Sequence, residues 1–138
     1  VADALAGVAM MPFGRFAEHV AATTASVLVV RYGGADALRG VAVADFESDL
    51  AELVRLAQAA GKTVLLVGVI ATTAGVTDDF DLAVERAADA LGAGFVDVRA
   101  VPYSLPDDLA DAVHPAQAWS DRMTAAIVLA INDADMLR

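Results

Sequence analysis

Two continuous apolar runs constrain the fold of this chain most strongly. Residues 26–32 read SVLVVRY, and residues 63–70 read TVLLVGVI. Apolar runs that do not alternate with polar residues are typical of strands buried on both faces, as in parallel sheets. We therefore predict two parallel strands in these runs and a third, shorter strand at residues 95–99.

Segments with helical periodicity separate the predicted strands. Apolar residues recur three and four positions apart, as on one face of a helix, in residues 13–21, 46–57, 81–91 and 116–131. Pro12 suits the first helical position, and Asp45 is the predicted N-cap of the second helix. Glycines end the second and third helices, at Gly61, Gly92 and Gly94. Residues 2–11 fit either a short helix or a strand.

The alternation of helix and strand predicts the fold class. Such units build a parallel sheet with helices on both faces, which is a three-layer α/β/α arrangement. A length of 138 residues suits one domain, and a hydrophobic content of 58% can form a substantial core. We therefore predict a single α/β domain over residues 1–138.

The charge and the residue types exclude several functions. Nineteen acids against nine bases give a net charge of −10, which repels nucleic acids and anionic lipid surfaces and favours a neutral substrate or one with an exposed cation. No apolar run approaches the roughly 20 residues that a membrane-spanning helix needs. The absence of cysteine excludes thiolate catalysis and cysteine-based metal sites.

The most distinctive polar pair lies where an α/β sheet binds ligands. Ligand sites form beyond the carboxyl ends of parallel strands, here in the loops 33–40, 71–77 and 100–114. The third loop contains Asp111 and His114, three residues apart. If the segment turns, the carboxylate can reach the Nδ1–H of the ring and leave Nε2 to accept a proton from a nucleophile.

Two other interpretations of this pair stay open. Asp111 could cap the following helix, with His114 a surface histidine ahead of Pro115. His114 could also join the acids at 107, 108 and 111 around a metal ion. A single histidine among surface acids is usually solvated, so we predict no metal site and no cofactor.

The chain resembles the SGNH hydrolases, also called GDSL esterases and lipases. The last sequence block of that family is Asp-x-x-His followed by Pro, which Asp111, His114 and Pro115 match. Another block is a strand ending in Gly-x-Asn-Asp, and here residues 27–30 lead into Gly33-Gly34-Ala35-Asp36. The resemblance implies a flavodoxin-like fold, a Ser–His–Asp triad containing His114 and Asp111, and an oxyanion site around Gly34, Ala35 and Gly7.

The chain departs from that family at two positions. Ala35 stands where the family has its oxyanion-hole Asn, and no Gly-Asp-Ser nucleophile block occurs. Serines are found only at positions 26, 48, 104 and 120, in contexts that indicate structural or solvated residues. Because the Gly-Asp-Ser strand pairs beside the strand at residues 27–30 in the family, that strand would present an open edge. We therefore expect the N-terminal strand to be missing here and supplied by a further segment of about 40–60 residues, a second chain or a second copy.

The resemblance implies hydrolysis of a small acyl ester, such as a carbohydrate acetyl ester, by a soluble protein that is secreted or periplasmic. Two alternatives remain. The chain could be a catalytically degenerate binding or scaffolding module of the same fold, as Ala35 suggests. It could also be a nucleotide-binding domain with residues 33–37 as a phosphate loop, although the Lys-Ser/Thr and Gly-x-x-Gly signatures do not follow.

Overall fold

The computed structural model describes residues 13–136 of the chain. Its elements, in chain order, are α1 (Phe13–Ala22), β1 (Val27–Val30), α2 (Gly34–Leu38), α3 (Val43–Ala59), β2 (Thr63–Val67), α4 (Asp78–Leu91), β3 (Gly94–Val96) and α5 (Gln117–Met136). The predicted alternation is confirmed, and the short helix α2 is an addition within a predicted loop. The prediction for residues 2–11 lies outside the described residues.

The sheet is parallel, with the strand order β1-β2-β3. Val29 pairs with Leu65 on one side of β2, and Leu66 pairs with Phe95 on the other. The helix α5 contacts all three strands on one face, while α3 and α4 pack on the opposite face and α1 packs against α3. The three-layer α/β/α fold class is therefore confirmed.

A separate hydrophobic core fills each side of the sheet. The larger core contains Phe16 and Val20 of α1, Val64 and Leu66 of β2, and apolar residues of α3 and α4. The smaller core joins Val67 and Val96 to Trp119 and Met123 of α5. The central strand β2 contributes to both, because successive side chains point to opposite faces.

The strand β1 is less buried than its sequence predicts. Val29 is 40% exposed, whereas residues 64–67 of β2 are all buried. Within residues 13–136, β1 pairs with β2 alone and forms the edge of the sheet. The prediction of burial on both faces is thus right for β2 and wrong for β1.

Several predicted boundaries need correction. All three strands are shorter than predicted, and α4 begins at Asp78, three residues early. Asp45 is not the N-cap of α3, because Ala42 occupies that position without a side-chain cap; Asp45 lies in the first turn, where the helix dipole favours a carboxylate. Gly92 ends α4 in the left-handed conformation, with φ of 65°, but Gly94 belongs to β3.

The strand β2 ends earlier than predicted. At Val69 a side-chain carboxylate, and not a neighbouring strand, accepts the backbone N–H. Gly68 still donates its backbone N–H to the Val96 carbonyl, but the Val69 N–H is taken by the carboxylate of Asp81, at 2.7 Å. The backbone therefore leaves the ladder at Val69 and turns across the end of the sheet.

No helix in the described part of the chain is long and apolar enough to cross a bilayer.

Gly33 allows the turn from β1 into α2. Its φ is 122°, a conformation that residues with a side chain rarely adopt. A Cβ atom at this position would lie 2.7 Å from Cγ2 of Val69 and 3.3 Å from Cζ of Phe46. Both backbone conformation and space therefore require glycine here.

We predict that Gly33→Ala lowers the free energy of unfolding by about 2 kcal/mol or more, since it adds backbone strain and a steric overlap. Gly34→Ala is the matched control, because Gly34 has no positive φ and a Cβ atom there would meet nothing within 4 Å. The control should stay within about 1 kcal/mol of the wild type. Urea unfolding of the three proteins measures the difference, and equal losses in both variants would contradict the assignment.

Candidate functional site

A cleft of about 330 Å³ opens at the carboxyl ends of the strands. It is bordered by residues 31–35 and 38 after β1, by residues 68–70 and 77 after β2, and by residues 113–115 before α5. The structure thus brings together parts of all three segments predicted at this edge. A volume of this size lies at the lower end of the range for small-molecule sites.

Asp111 and His114 contact each other at the mouth of this cleft. Nδ1 of His114 lies 2.7 Å from Oδ2 of Asp111, which is the contact that their spacing predicts. The other carboxylate oxygen, Oδ1, accepts the backbone N–H groups of Val113 and His114, each at 2.8 Å. The turn therefore holds both the position of the ring and the tautomer with hydrogen on Nδ1.

The pair is accessible, and its outer ring nitrogen is free within the described residues. The side chains of His114 and Asp111 are 72% and 56% exposed. No group in residues 13–136 forms a hydrogen bond with Nε2 of His114, which leaves this atom available to a bound nucleophile. The helix-capping alternative for Asp111 is not what the structure has, because α5 begins six residues later, at Gln117.

Hydrogen bonds lower the pKa of Asp111. Chiefly the backbone N–H of Val113, then the His114 ring and the His114 N–H, hold the pKa of this carboxyl at about 2, below its usual value of 3.8. Hydrogen bonds to the charged form stabilise it. Asp111 is therefore a carboxylate throughout the neutral pH range and can stabilise a positive charge on His114.

Cross-loop hydrogen bonds close the loop that carries the pair. The Ala110 N–H donates to the His114 carbonyl at 2.8 Å, and the Ala116 N–H donates to the Asp108 carbonyl at 2.7 Å. Arg122 of α5 anchors the base of the loop through Oδ2 of Asp108, at 3.2 Å. The first turns of α5 thus determine where His114 lies.

A partly buried charge network fixes the opposite wall. Arg99 donates from Nε to the Val69 carbonyl at 2.8 Å and from Nη1 to Oδ1 of Asp78 at 2.7 Å. Nε of Arg99 also lies 3.3 Å from Oδ2 of Asp81, whose other oxygen accepts the Val69 N–H. Burial raises the pKa of Asp81, while the Val69 N–H and Arg99 oppose that rise. Thr77 completes the wall by donating its hydroxyl to the Ile70 carbonyl at 2.6 Å.

The predicted oxyanion residues lie partly in this cleft. Gly34 and Ala35 line it and form the start of α2, where the first backbone N–H groups have no partner within the helix. Ala35 offers no side-chain donor. Asp36, the last residue of the matching motif, is buried, and the pKa of Tyr32 is raised first by burial and then by the charge of Asp36. Gly7 lies outside the described residues.

None of the four serines, all of which are described, lies on the cleft. Ser26 precedes β1 at the other end of the sheet, and Ser48 and Ser120 lie in α3 and α5. Ser104 is exposed, and its N–H donates to Oδ2 of Asp108. The described residues therefore bring a histidine and the carboxylate that orients it to the cleft, but no serine.

The acids near His114 are engaged separately. Asp108 pairs with Arg122, and Asp111 pairs with His114. Across residues 13–136, no group of three His, Asp or Glu side chains has an arrangement that could hold a metal ion.

The sequence interpretation missed residues that build the cleft walls. Arg31 lines the cleft, although the sequence placed it within a strand; its signal was a charge that interrupts the apolar run SVLVVRY. The roles of Thr77 and Arg99 had no local signal, because their partners are distant in the chain.

Solved structures with similar folds support the architecture. TesA aligns with a TM-score of 0.69 and 27% identity, over 83% of this chain and 66% of that one. A GDSL-like lipase from Bacteroides thetaiotaomicron aligns with a TM-score of 0.72 and 23% identity, over 87% of this chain and 68% of the lipase. For Axe2, an acetylxylan esterase from Geobacillus stearothermophilus, the TM-score is 0.72 and the identity 21%, over 84% of this chain and 64% of the esterase. No protein-family model and no curated protein sequence matches the chain.

The chain spans about two thirds of the length of these structures. More than four fifths of this chain aligns with each of them. The motifs that carried the sequence resemblance lie after β1 and before α5, at the edge of the sheet where the cleft opens. The chain has the SGNH hydrolase fold.

Proposed function

We propose that this chain provides the histidine and aspartate of an SGNH-type serine ester hydrolase. The observation that carries the proposal is the contact of 2.7 Å between Nδ1 of His114 and Oδ2 of Asp111, beside a cleft at the carboxyl ends of the strands. In such an enzyme the serine hydroxyl attacks the acyl carbon, while His114 accepts its proton at Nε2 and then donates it to the leaving alcohol. Water repeats the sequence on the acyl-enzyme, and Asp111 stabilises the charged ring in both steps.

We propose that the nucleophilic serine is not one of the four serines of this chain and is supplied from outside it. The edge of β1 is open within residues 13–136, and this edge and the 40% exposure of Val29 support a further strand beside β1, from another segment, a second chain or a second copy. Under this proposal the 138 residues form a single domain that needs that strand. An active preparation with a mass near 14.2 kDa and no second component or copy would contradict the proposal.

The substrate is proposed to be an ester with a small acyl group. A cleft of about 330 Å³ accommodates a small ligand, and one of the similar structures is an acetylxylan esterase. A carbohydrate acetyl ester is therefore the first class to test. The resemblance also supports a secreted or periplasmic location.

A catalytically degenerate binding module is the second candidate. Ala35 favours it, because the loss of one oxyanion donor typically lowers the rate by about 10²–10³. The Asp111–His114 contact favours the enzyme, since a binding module has no need of an oriented imidazole.

We predict that His114→Ala lowers kcat for p-nitrophenyl acetate by roughly 10³-fold or more, because the general base and acid are lost. The full protein that contains these residues should be assayed. His19→Ala is the matched control: His19 is the other histidine, lies in α1 and does not line the cleft. Equal rates for wild type and His114→Ala would remove His114 from the mechanism.

We predict that Ala35→Asn raises kcat by up to about 10²-fold, because Asn adds a hydrogen-bond donor beside the N–H groups at the start of α2. Ala35→Leu is the control, since it adds similar volume without a donor. If Leu raises kcat as much as Asn, or if Asn gives no gain, Ala35 does not occupy the oxyanion position.

We predict that the Asp111 carboxyl titrates near pH 2 in the folded protein. Its pKa is depressed from 3.8, so the stabilisation of the turn is complete above pH 3.8 and is lost as the pH falls through about 2. Carbon-13 NMR of the carboxyl measures this, and the amide protons of Val113 and His114 should follow the same titration. In His114→Ala the pKa should rise partway towards 3.8; a wild-type midpoint already at 3.8 would contradict the geometry.

A further inference from the structure

Arg31 extends from the end of β1 into the neighbourhood of the cleft. It follows Val30 directly and lines the cleft together with His114. Its Nη2 lies 3.9 Å from Sδ of Met123 in α5, so the guanidinium lies on the α5 side of the sheet. The loop that carries His114 leads into that same helix.

The guanidinium has no anionic partner in the described part of the chain. The guanidinium contacts the thioether sulfur of Met123, which is a weak acceptor for a group with five N–H donors. Four other cations among residues 13–136 have stronger partners: Arg86 with Glu47, Arg99 with Asp78, Arg122 with Asp108, and Lys62 with the carbonyls of Thr23 and Ala25. Arg31 as a whole residue is solvent-exposed, while burial against Met123 partly desolvates its guanidinium.

The carboxylates near the cleft do not neutralise this cation. Asp111 is engaged by His114 and two backbone N–H groups. Asp36 is buried in α2, where its charge acts on Tyr32. Among the ion pairs of residues 13–136, none joins Arg31 to Asp111. Partial desolvation lowers the pKa of Arg31, but an arginine side chain stays protonated in proteins, so the positive charge remains.

We infer that Arg31 is a specificity-determining residue that binds a carboxylate carried by the ester substrate. The inference rests on the proposed function and narrows its substrate class to monoanionic esters. A guanidinium matches a carboxylate through two parallel hydrogen bonds. A single cation suits a single negative charge better than a phosphate dianion, because the rest of the chain is strongly acidic.

The positive charge of Arg31 at the cleft contrasts with the acidic character of the whole chain. A net charge of −10 favours a neutral or cationic substrate. Contacts within a cleft depend on the nearest groups instead, since exposed charges more than about 8–10 Å away are largely screened at physiological salt. A neutral substrate or one with an exposed cation stays the prediction from the net charge, and the inference for Arg31 departs from it.

Binding of two small esters tests the inference without requiring catalysis. The full protein that contains these residues is titrated by NMR with monomethyl succinate, which carries one carboxylate, and with its neutral counterpart dimethyl succinate. We expect tighter binding of the monoanion, and Arg31→Gln should raise its Kd by about tenfold or more. Arg39→Gln is the control, because Arg39 is the C-cap of α2, is exposed and does not line the cleft; it should change Kd by no more than about twofold.

Three outcomes of this titration would overturn the inference. They are equal binding of the two esters by wild type, an unchanged Kd for the monoanion in Arg31→Gln, and an equal loss of affinity in Arg39→Gln. The last result would show that the effect comes from net charge and not from a contact.

Hydrolysis provides a second readout that separates this inference from the proposed function. The ratio of kcat/KM for p-nitrophenyl hemisuccinate to that for the neutral p-nitrophenyl pentanoate should fall about tenfold or more in Arg31→Gln and stay constant in Arg39→Gln. If the wild type hydrolyses neither ester, the proposed function fails, and Arg31 is judged by the NMR titration alone. If both esters are hydrolysed and the ratio is unchanged in Arg31→Gln, the proposed function stands and the role of Arg31 is rejected.

Discussion

The cleft depends on the hydrogen bond between the Val69 N–H and the carboxylate of Asp81, which is buried at the end of the central strand. By accepting the Val69 N–H it stops β2 at Val67 and turns the backbone across the end of the sheet. An unpaired carboxylate in this position would be costly, and Arg99 compensates by lying 3.3 Å away while also binding the Val69 carbonyl. Asp81 and Arg99 therefore provide hydrogen-bond partners for both the N–H and the carbonyl of Val69, which lies beyond the end of β2.

Val69, which belongs to the wall held by Asp81 and Arg99, also constrains the β1 side of the cleft. Val69 lies so close to Gly33 that a methyl group there would overlap with it, and Gly33 sets the direction from β1 into α2. The start of α2, with Gly34 and Ala35, is thus placed against the wall that Asp81 and Arg99 hold. The His114 loop depends instead on α5, through Arg122 and Asp108. The cleft therefore lies between the wall held by Asp81 and Arg99 and the His114 loop held by α5, and these two parts are anchored independently.

The candidate site could be predicted from sequence where its chemistry is local. Asp111 and His114 are three residues apart, so a single turn brings the carboxylate to the ring, and the spacing alone indicates that contact. Arg99 is separated by 18 residues from Asp81 and by 30 from Val69, and no local pattern relates them. Arg31 had a faint signal, a charge within an apolar run, but its lack of an acidic partner in the described residues is a fact of packing.

The sequence by itself determined the α/β class, the parallel central strand and the fold resemblance, because continuous apolar runs, helical periodicity and short motifs are local properties. It also placed Asp111 and His114 together at the end of the sheet where ligands bind. Only the tertiary structure decided that Val29 of β1 is 40% exposed, that Ala42 and not Asp45 is the N-cap of α3, and that Arg31 lines the cleft. These outcomes depend on which elements pack beside one another, and contacts between distant segments leave no periodic trace in the chain.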